Sequence, residues 1–357
     1  MELNCGGGCC IVLDDYLFDF SRVAEAARKA RPAAIVLEAP QGMVRLLERL
    51  ASFLTDKCLD KEDVDVYIRL EPSFGSCSLS LDVVELVNGN SILVHIGHGE
   101  YVYPLCAGGV CSRKLPRNVY LVEAEYLGGD AELLAHKIVE TFSENGWSST
   151  AIGHSIQHKR LAEKIAVILA DKGIDVVLVD SLLGCYYYRH VKLRENVDAY
   201  IVVAGGYFHA LGLGLALAGA KPVLRVDPYT SSVEDISGLV ARTLAKRYWV
   251  MRQAVEASRF GIVLGLLPGQ YRPWIAEHIA RLVKKHGGRY RFILARYVTR
   301  EYLDNLSPGD YDVFVMVSCP RLAIEDLSDY WKPVLTPAEA RIVLSGDITS
   351  SNYTFPW

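Results

Sequence analysis

Three of the nine cysteines in this 357-residue chain stand just past β-branched runs that read as buried strands. Cys77 follows Val66-Tyr67-Ile68-Arg69-Leu70 and a short turn, Cys185 follows Val176-Val177-Leu178-Val179, and Cys319 follows Val313-Phe314-Val315-Met316-Val317. A small residue precedes each: Ser76, Gly184 and Ser318. Parallel α/β sheets bind ligands beyond the carboxyl ends of their strands, so these thiols are placed to do chemistry. Thiolates are the usual ligands of iron–sulfur clusters; three of them hold three irons of a four-iron cluster and leave the fourth open to a small molecule. A three-cysteine zinc site with an open fourth position is the nearest competitor. One such cysteine alone would read as an inert small hydrophobe.

The elements that must position these thiols repeat. Strand-like runs alternate with amphipathic helical stretches, which argues for parallel α/β units. One unit opens with Ala34-Ile35-Val36-Leu37 and then Pro40-Gln41-Gly42. A second opens with Thr150-Ala151-Ile152-Gly153 and then Gln157-His158, and a third with Gly261-Ile262-Val263-Leu264 and then Pro268-Gly269-Gln270. The chain holds only four glutamines, and three of them (Gln41, Gln157, Gln270) mark these openings. The distance from each cysteine to the next strand is similar. The expected fold is α/β: three related domains, each a small parallel sheet flanked by helices, packed around a common centre. Each offers one thiol from the same structural position. The expected domains are 1–126 with Cys77, 127–230 with Cys185, and 231–357 with Cys319 and a polar C-terminal tail. A long helical stretch is read over 233–257, and the tail from 345 to 357 as a loosely held extension.

Composition narrows the function. A net charge of -4 and no long basic stretch argue against a nucleic-acid partner. The longest smooth apolar stretch, 210–220, is too short to cross a bilayer, which takes about 20 residues. The N-terminus lacks the pattern of a secretory signal. Nine cysteines cannot all pair within one chain, which speaks against a secreted disulfide scaffold. Cytoplasm is the expected location, with no membrane attachment.

Other groups are weaker candidates. Cys5, Cys9 and Cys10 begin like the Cys-x3-Cys-x2-Cys loop of ordinary radical S-adenosylmethionine enzymes, but Val12 stands where the third cysteine is needed. A flexible Gly-rich terminus is the better reading. Cys106 and Cys111 lack a second pair and read as loop residues. Gln41-Gly42 and Gly269-Gln270 lie at strand-to-helix turns whose backbone N–H groups could hold a carboxylate or ribose, although ordinary turn chemistry explains them too. Gly205-Gly206 would let backbone approach a ligand closely. His98 and His209 could transfer protons or touch a ligand, or be hydrogen-bonded structural histidines. Arg321 could pair with an anionic group near the cluster or form an ordinary surface ion pair. The candidate cofactor-binding set is therefore Gln41, Gly42, His98, Gly205, Gly206, His209, Gln270 and Arg321. No catalytic residue beyond the three cysteines is identified.

Several segments share one order along the chain. They are Pro40-Gln41-Gly42, Phe74-Gly75-Ser76-Cys77, His95-Ile96-Gly97-His98 and Leu183-Gly184-Cys185. Gly205-Gly206-Tyr207-Phe208-His209-Ala210-Leu211-Gly212, Lys221-Pro222-Val223, Asp227-Pro228-Tyr229 and Gly269-Gln270 follow. Ser318-Cys319-Pro320-Arg321-Leu322-Ala323-Ile324 and Lys332-Pro333-Val334-Leu335-Thr336-Pro337 complete the set. Together they resemble the archaeal diphthamide-biosynthesis enzyme family that makes 2-(3-amino-3-carboxypropyl)histidine. The family's first cysteine segment usually reads Asp-Thr-x-aromatic-Gly-Ala-Cys, where this chain has Glu71-Pro72-Ser73-Phe74-Gly75-Ser76-Cys77. Ser78 and Leu79 stand where an acidic residue often follows.

The resemblance implies a transferase that is a homodimer of three-domain subunits, each with one [4Fe–4S] cluster on Cys77, Cys185 and Cys319. It implies S-adenosyl-L-methionine at the open iron, and a 3-amino-3-carboxypropyl radical that adds to C2 of a histidine imidazole in elongation factor 2. Methylthioadenosine is the other product, and a small iron–sulfur or flavin protein is the implied reductant. A cluster-carrying paralogue serving electron delivery or assembly, without transferase activity, is the second expectation. A zinc-binding or nucleotide-sugar α/β enzyme is the third.

Overall fold

Three four-stranded parallel arrays recur along the chain, and all share one strand order. A computed structural model of the protein describes residues 8–59, 64–71, 73–87, 90–107, 110–349 and 353–357; Cys5, Pro72 and tail residues 350–352 lie outside them. Ala34–Glu38, Asp65–Ile68, Ser91–Ile96 and Val119–Val122 form the first sheet, in the order second, first, third, fourth. Ser149–His154, Asp175–Ser181, Ala199–Val203 and Val223–Asp227 repeat that order in the second. Arg259–Gly265, Arg289–Ala295, Val313–Val317 and Val334–Leu335 repeat it in the third. Ala34–Glu38, Ala199–Val203 and Val313–Val317 are buried along their whole length, as apolar strands covered on both faces must be.

The strand order corrects one expectation. Cys77 and Cys185 follow the second strands of their sheets, whereas Cys319 follows the third strand of its own. All three lie past the carboxyl ends of parallel strands, but they do not share one position in the repeat. The reason lies in Arg289–Ala295, an edge strand that alternates arginine with aromatic and aliphatic residues and is largely exposed. Its apolar run, Phe292-Ile293-Leu294-Ala295, is short and partly exposed, so the third sheet is one strand short when only buried runs are counted.

Residues up to Gly128, with Ile156–Arg160 and Leu267–Gly269, make one compact unit, and the remaining residues make another. In the first, Cys9 and Cys58 are buried, and burial followed by the neighbouring Cys9 thiol pushes the Cys58 thiol up. Cys106 and Cys111 are not simple loop residues: they face each other across the Leu105–Ala107 and Val110–Ser112 pair and are joined by a disulfide. Adjacent chains of a hairpin put facing cysteines within bonding reach.

In the second unit, the expected helix at 233–257 begins only at Ser237. Ser232–Asp235 is instead a strand antiparallel to Val223–Asp227, and Asp235 accepts the Ser237 N–H at 2.8 Å. The last helix, Pro337–Ser345, starts with a capping box between Thr336 and Glu339. Glu339 also takes two hydrogen bonds from the fully buried Arg247, at 2.8 and 2.6 Å. The Tyr353 hydroxyl donates to the same carboxylate at 3.2 Å. Tyr353 and Phe355 are only 4% and 9% exposed. The aromatic end of the tail is therefore packed, not loosely held. No described helix is long and apolar enough to cross a membrane.

Candidate functional site

Cys77 sits in a turn laced by hydroxyls. Ser78 Oγ donates to the Gly75 carbonyl at 2.8 Å, accepts the Phe74 N–H at 2.9 Å and lies 2.9 Å from Ser73 Oγ. The Ser73 N–H reaches the Ala39 carbonyl just past the first strand. Ser78 thus serves the turn itself. The Gly269 N–H donates to the Cys77 carbonyl at 2.7 Å, and the Tyr101 hydroxyl donates to the Gly269 carbonyl at 3.0 Å. A Cβ on Gly269 would stand 2.6 Å from Cys77 Cα and 2.5 Å from the Tyr101 ring, so only glycine fits. The next residue, Gln270, is buried and accepts the Ser318 hydroxyl at 2.7 Å, directly before Cys319.

A buried polar chain lies past the same sheet. Glu38 Oε1 is 2.7 Å from His95 Nδ1, and His95 Nε2 is 3.0 Å from His98 Nδ1. Arg69 supports the other Glu38 oxygen at 3.4 Å. Because a carboxylate only accepts, His95 Nδ1 carries the proton toward it. Which of His95 Nε2 and His98 Nδ1 donates to the other depends on their tautomers. Gln157 donates to the Gly97 carbonyl beside His98. Gln41 and Gly42 are exposed in the turn after Ala34–Glu38, where the Met43 N–H closes onto the Pro40 carbonyl.

Cys185 and Cys319 share a neighbour in the second unit. Tyr187 is 3% exposed, and its hydroxyl has no hydrogen-bond partner among the described residues. Burial, then the charges of Cys185 and Cys319, hold its phenol well above the ordinary tyrosine value, so it stays a donor. A buried donor without an acceptor costs about 1–3 kcal/mol. A sulfur-rich group held by the two adjacent cysteines would supply that acceptor, and in this respect the residues fit an iron–sulfur cluster. Gly184 makes room for the Phe208 ring, which a Cβ there would meet at 1.9 Å. Among the described residues no three His, Cys, Asp or Glu side chains form a group for a single metal ion. Thiols on a four-iron cluster stand farther apart than the ligands of one ion, because irons and sulfides lie between them.

The other sequence candidates have structural occupations. His209 is half-buried; desolvation and then the Arg321 guanidinium lower its pKa to about 4, so it is neutral near pH 7. Arg321 donates to Glu325 at 2.6 Å and lies 5.5 Å from the Phe208 ring centroid, so its charge is already paired. Gly205 gives way to the Tyr229 ring, and the Gly206 carbonyl accepts from Arg225 at 3.1 Å. Glu38, Tyr187, Arg272 and Trp357 were not singled out from sequence. Glu38 alone left a signal: a carboxylate closing an otherwise apolar strand.

Comparison with known proteins gives the family. Residues 39–354 match the family model described as "Putative diphthamide synthesis protein". The chain is 30% identical over 335 residues to the 2-(3-amino-3-carboxypropyl)histidine synthase of Pyrococcus horikoshii, covering 91% of this chain and 89% of that one. The protein of the same name from Methanocaldococcus jannaschii is 24% identical over 337 residues, covering 90% and 87%. The crystal structure of Dph2 from Pyrococcus horikoshii with a 4Fe-4S cluster aligns with a TM-score of 0.77 at 26% identity, over 97% of this chain and 94% of that one. The chain belongs to the diphthamide synthesis protein family.

Proposed function

We propose that the protein is a 2-(3-amino-3-carboxypropyl)histidine synthase that carries a [4Fe–4S] cluster on Cys77, Cys185 and Cys319. The observation that carries the reading is the Tyr187 hydroxyl, a buried donor without an acceptor among the described residues, whose charged neighbours are Cys185, Cys319 and Glu325. Cys77, the third ligand of this proposal, sits in a turn held by the Gly269 backbone. The three-domain division at 126/127 and 230/231, the homodimer, the small iron–sulfur or flavin reductant and a cytoplasmic setting belong to the same proposal.

When bound, the cluster would supply one electron to S-adenosyl-L-methionine, whose S–Cγ bond would break to methylthioadenosine and a 3-amino-3-carboxypropyl radical; that radical would add to C2 of a histidine in elongation factor 2, and the adduct would return one electron to the oxidised cluster and lose the C2 proton to solvent. The protein's part is to hold and orient. Three thiolates would leave one iron without a protein ligand, and Tyr187 lies beside two of those cysteines as a buried donor. The Gln41-Gly42 turn, the Gly205-Gly206 turn and Gln270 offer polar contacts to the cofactor. Glu38 and His95 orient the His98 ring by a chain of hydrogen bonds.

The test is anaerobic reconstitution with iron and sulfide, then dithionite, S-adenosyl-L-methionine and elongation factor 2. The expected result is a brown protein that forms methylthioadenosine and adds the 3-amino-3-carboxypropyl group to the histidine. Methylthioadenosine without modified elongation factor 2 would favour the accessory paralogue. Tight zinc without iron uptake would overturn the reading.

A further inference from the structure

We propose that the aromatic segment 353–357 is part of this site, acting as a bracket that holds the turns of Cys185 and Cys319 in one arrangement. The Trp357 indole N–H donates to the Cys185 carbonyl at 3.1 Å. The face of the same ring lies 4.1 Å from the guanidinium of Arg272, which is 3% exposed and donates to the Ser318 carbonyl at 3.2 Å. One side chain therefore touches the backbone of one cysteine with its edge. With its face it holds the cation bonded to the residue preceding the other.

The rest of the segment fixes that side chain in place. The Phe355 ring lies 6.1 Å from Tyr187, the residue with the unpartnered hydroxyl. Tyr353 ties the segment to the buried Glu339–Arg247 pair. Burial of aromatic rings alone would need no polar contacts. Here an indole N–H meets a ligand carbonyl, and a π face meets a buried cation, where cation–π attraction is strongest because water is excluded. Phe355 and Trp357 lie just beyond residues 39–354, the part that matches the family model. Trp357 and Arg272 are positioning residues.

The bracket is seen in the protein alone; its consequence for cluster retention rests on the proposed function. Two readouts separate them. In metal-free full-length protein, W357A is expected to raise amide hydrogen exchange over residues 182–187 and 317–322 by roughly tenfold, the worth of one hydrogen bond plus one cation–π contact. W357F keeps the ring under Arg272 but loses the N–H, so its faster exchange is confined to 182–187; as the milder variant, it also decides the matter if W357A fails to fold. In reconstituted protein, W357A is expected to lose iron to a chelator roughly tenfold faster and to build up the [3Fe–4S] electron paramagnetic resonance signal sooner. Unchanged exchange in both variants would overturn the bracket, whatever the iron does. A wild type that takes up no iron would overturn the cluster reading, while the exchange comparison still decides the bracket.

Discussion

The turn of Cys77 and the turn of Cys185 are held by opposite means. Cys77 is fixed by short-range polar lacing among Ser73, Phe74, Gly75 and Ser78, with the Gly269 backbone pressed against it. Cys185 is fixed by bulk and reach: Phe208 fills the space over Gly184, and Trp357 bonds its carbonyl from 172 residues away. A laced turn tolerates little change in its own few residues. A bracketed turn depends on side chains that its local sequence does not mention.

The sharpest way to break this contrast is Gly269→Ala. The new methyl would collide with Cys77 backbone, which cannot swing aside, and with the Tyr101 ring, and overpacking of this kind costs about 1–3 kcal/mol. The melting temperature should fall and amide exchange should rise over 73–80 but not over 182–187. Equal effects on both turns would erase the distinction.

Ser78→Ala is the gentler probe of the lacing. It removes a donor to Gly75 and the acceptor of the Phe74 N–H, at a cost of about 1 kcal/mol by chemical denaturation. A value near zero would mean that the turn is held by Gly269 alone.

The smallest expected effect belongs to the second turn and is read by pH. Desolvation holds His209 at a pKa of about 4, below the ordinary histidine value, so the folded state prefers the neutral ring. The unfolded chain takes up this proton first. Stability from this group is therefore complete above about pH 6.5, is lost as pH falls toward 4, and then levels off. His209→Gln should flatten that part of the wild-type stability curve. Because His209 is half-buried, the change should be modest; an unaltered slope would place the acid sensitivity elsewhere.

The same contrast explains what could be read from the sequence. Apolar strand runs and the three cysteines beyond them were legible because burial on both faces leaves a continuous pattern. That Cys319 follows the third strand of its sheet was not, because the second, Arg289–Ala295, carries charge along an edge. Tyr186, Tyr187 and Tyr188 look alike in sequence, yet Tyr187 is 3% exposed and Tyr188 is 54% exposed. Only packing against distant residues such as Phe355 distinguishes them. Trp357 and the Cys106–Cys111 disulfide were hidden for the same reason: each acquires its meaning from a partner that the fold supplies.

The central claim is that thiols from three separate strand ends hold a single cluster. Anaerobic crystals of the reconstituted protein, with diffraction recorded at the iron absorption edge, address it most directly. The account predicts one compact anomalous peak bonded to Sγ of Cys77, Cys185 and Cys319. Iron bound to only one or two of these sulfurs, or Cys77 facing away from the peak, would contradict it.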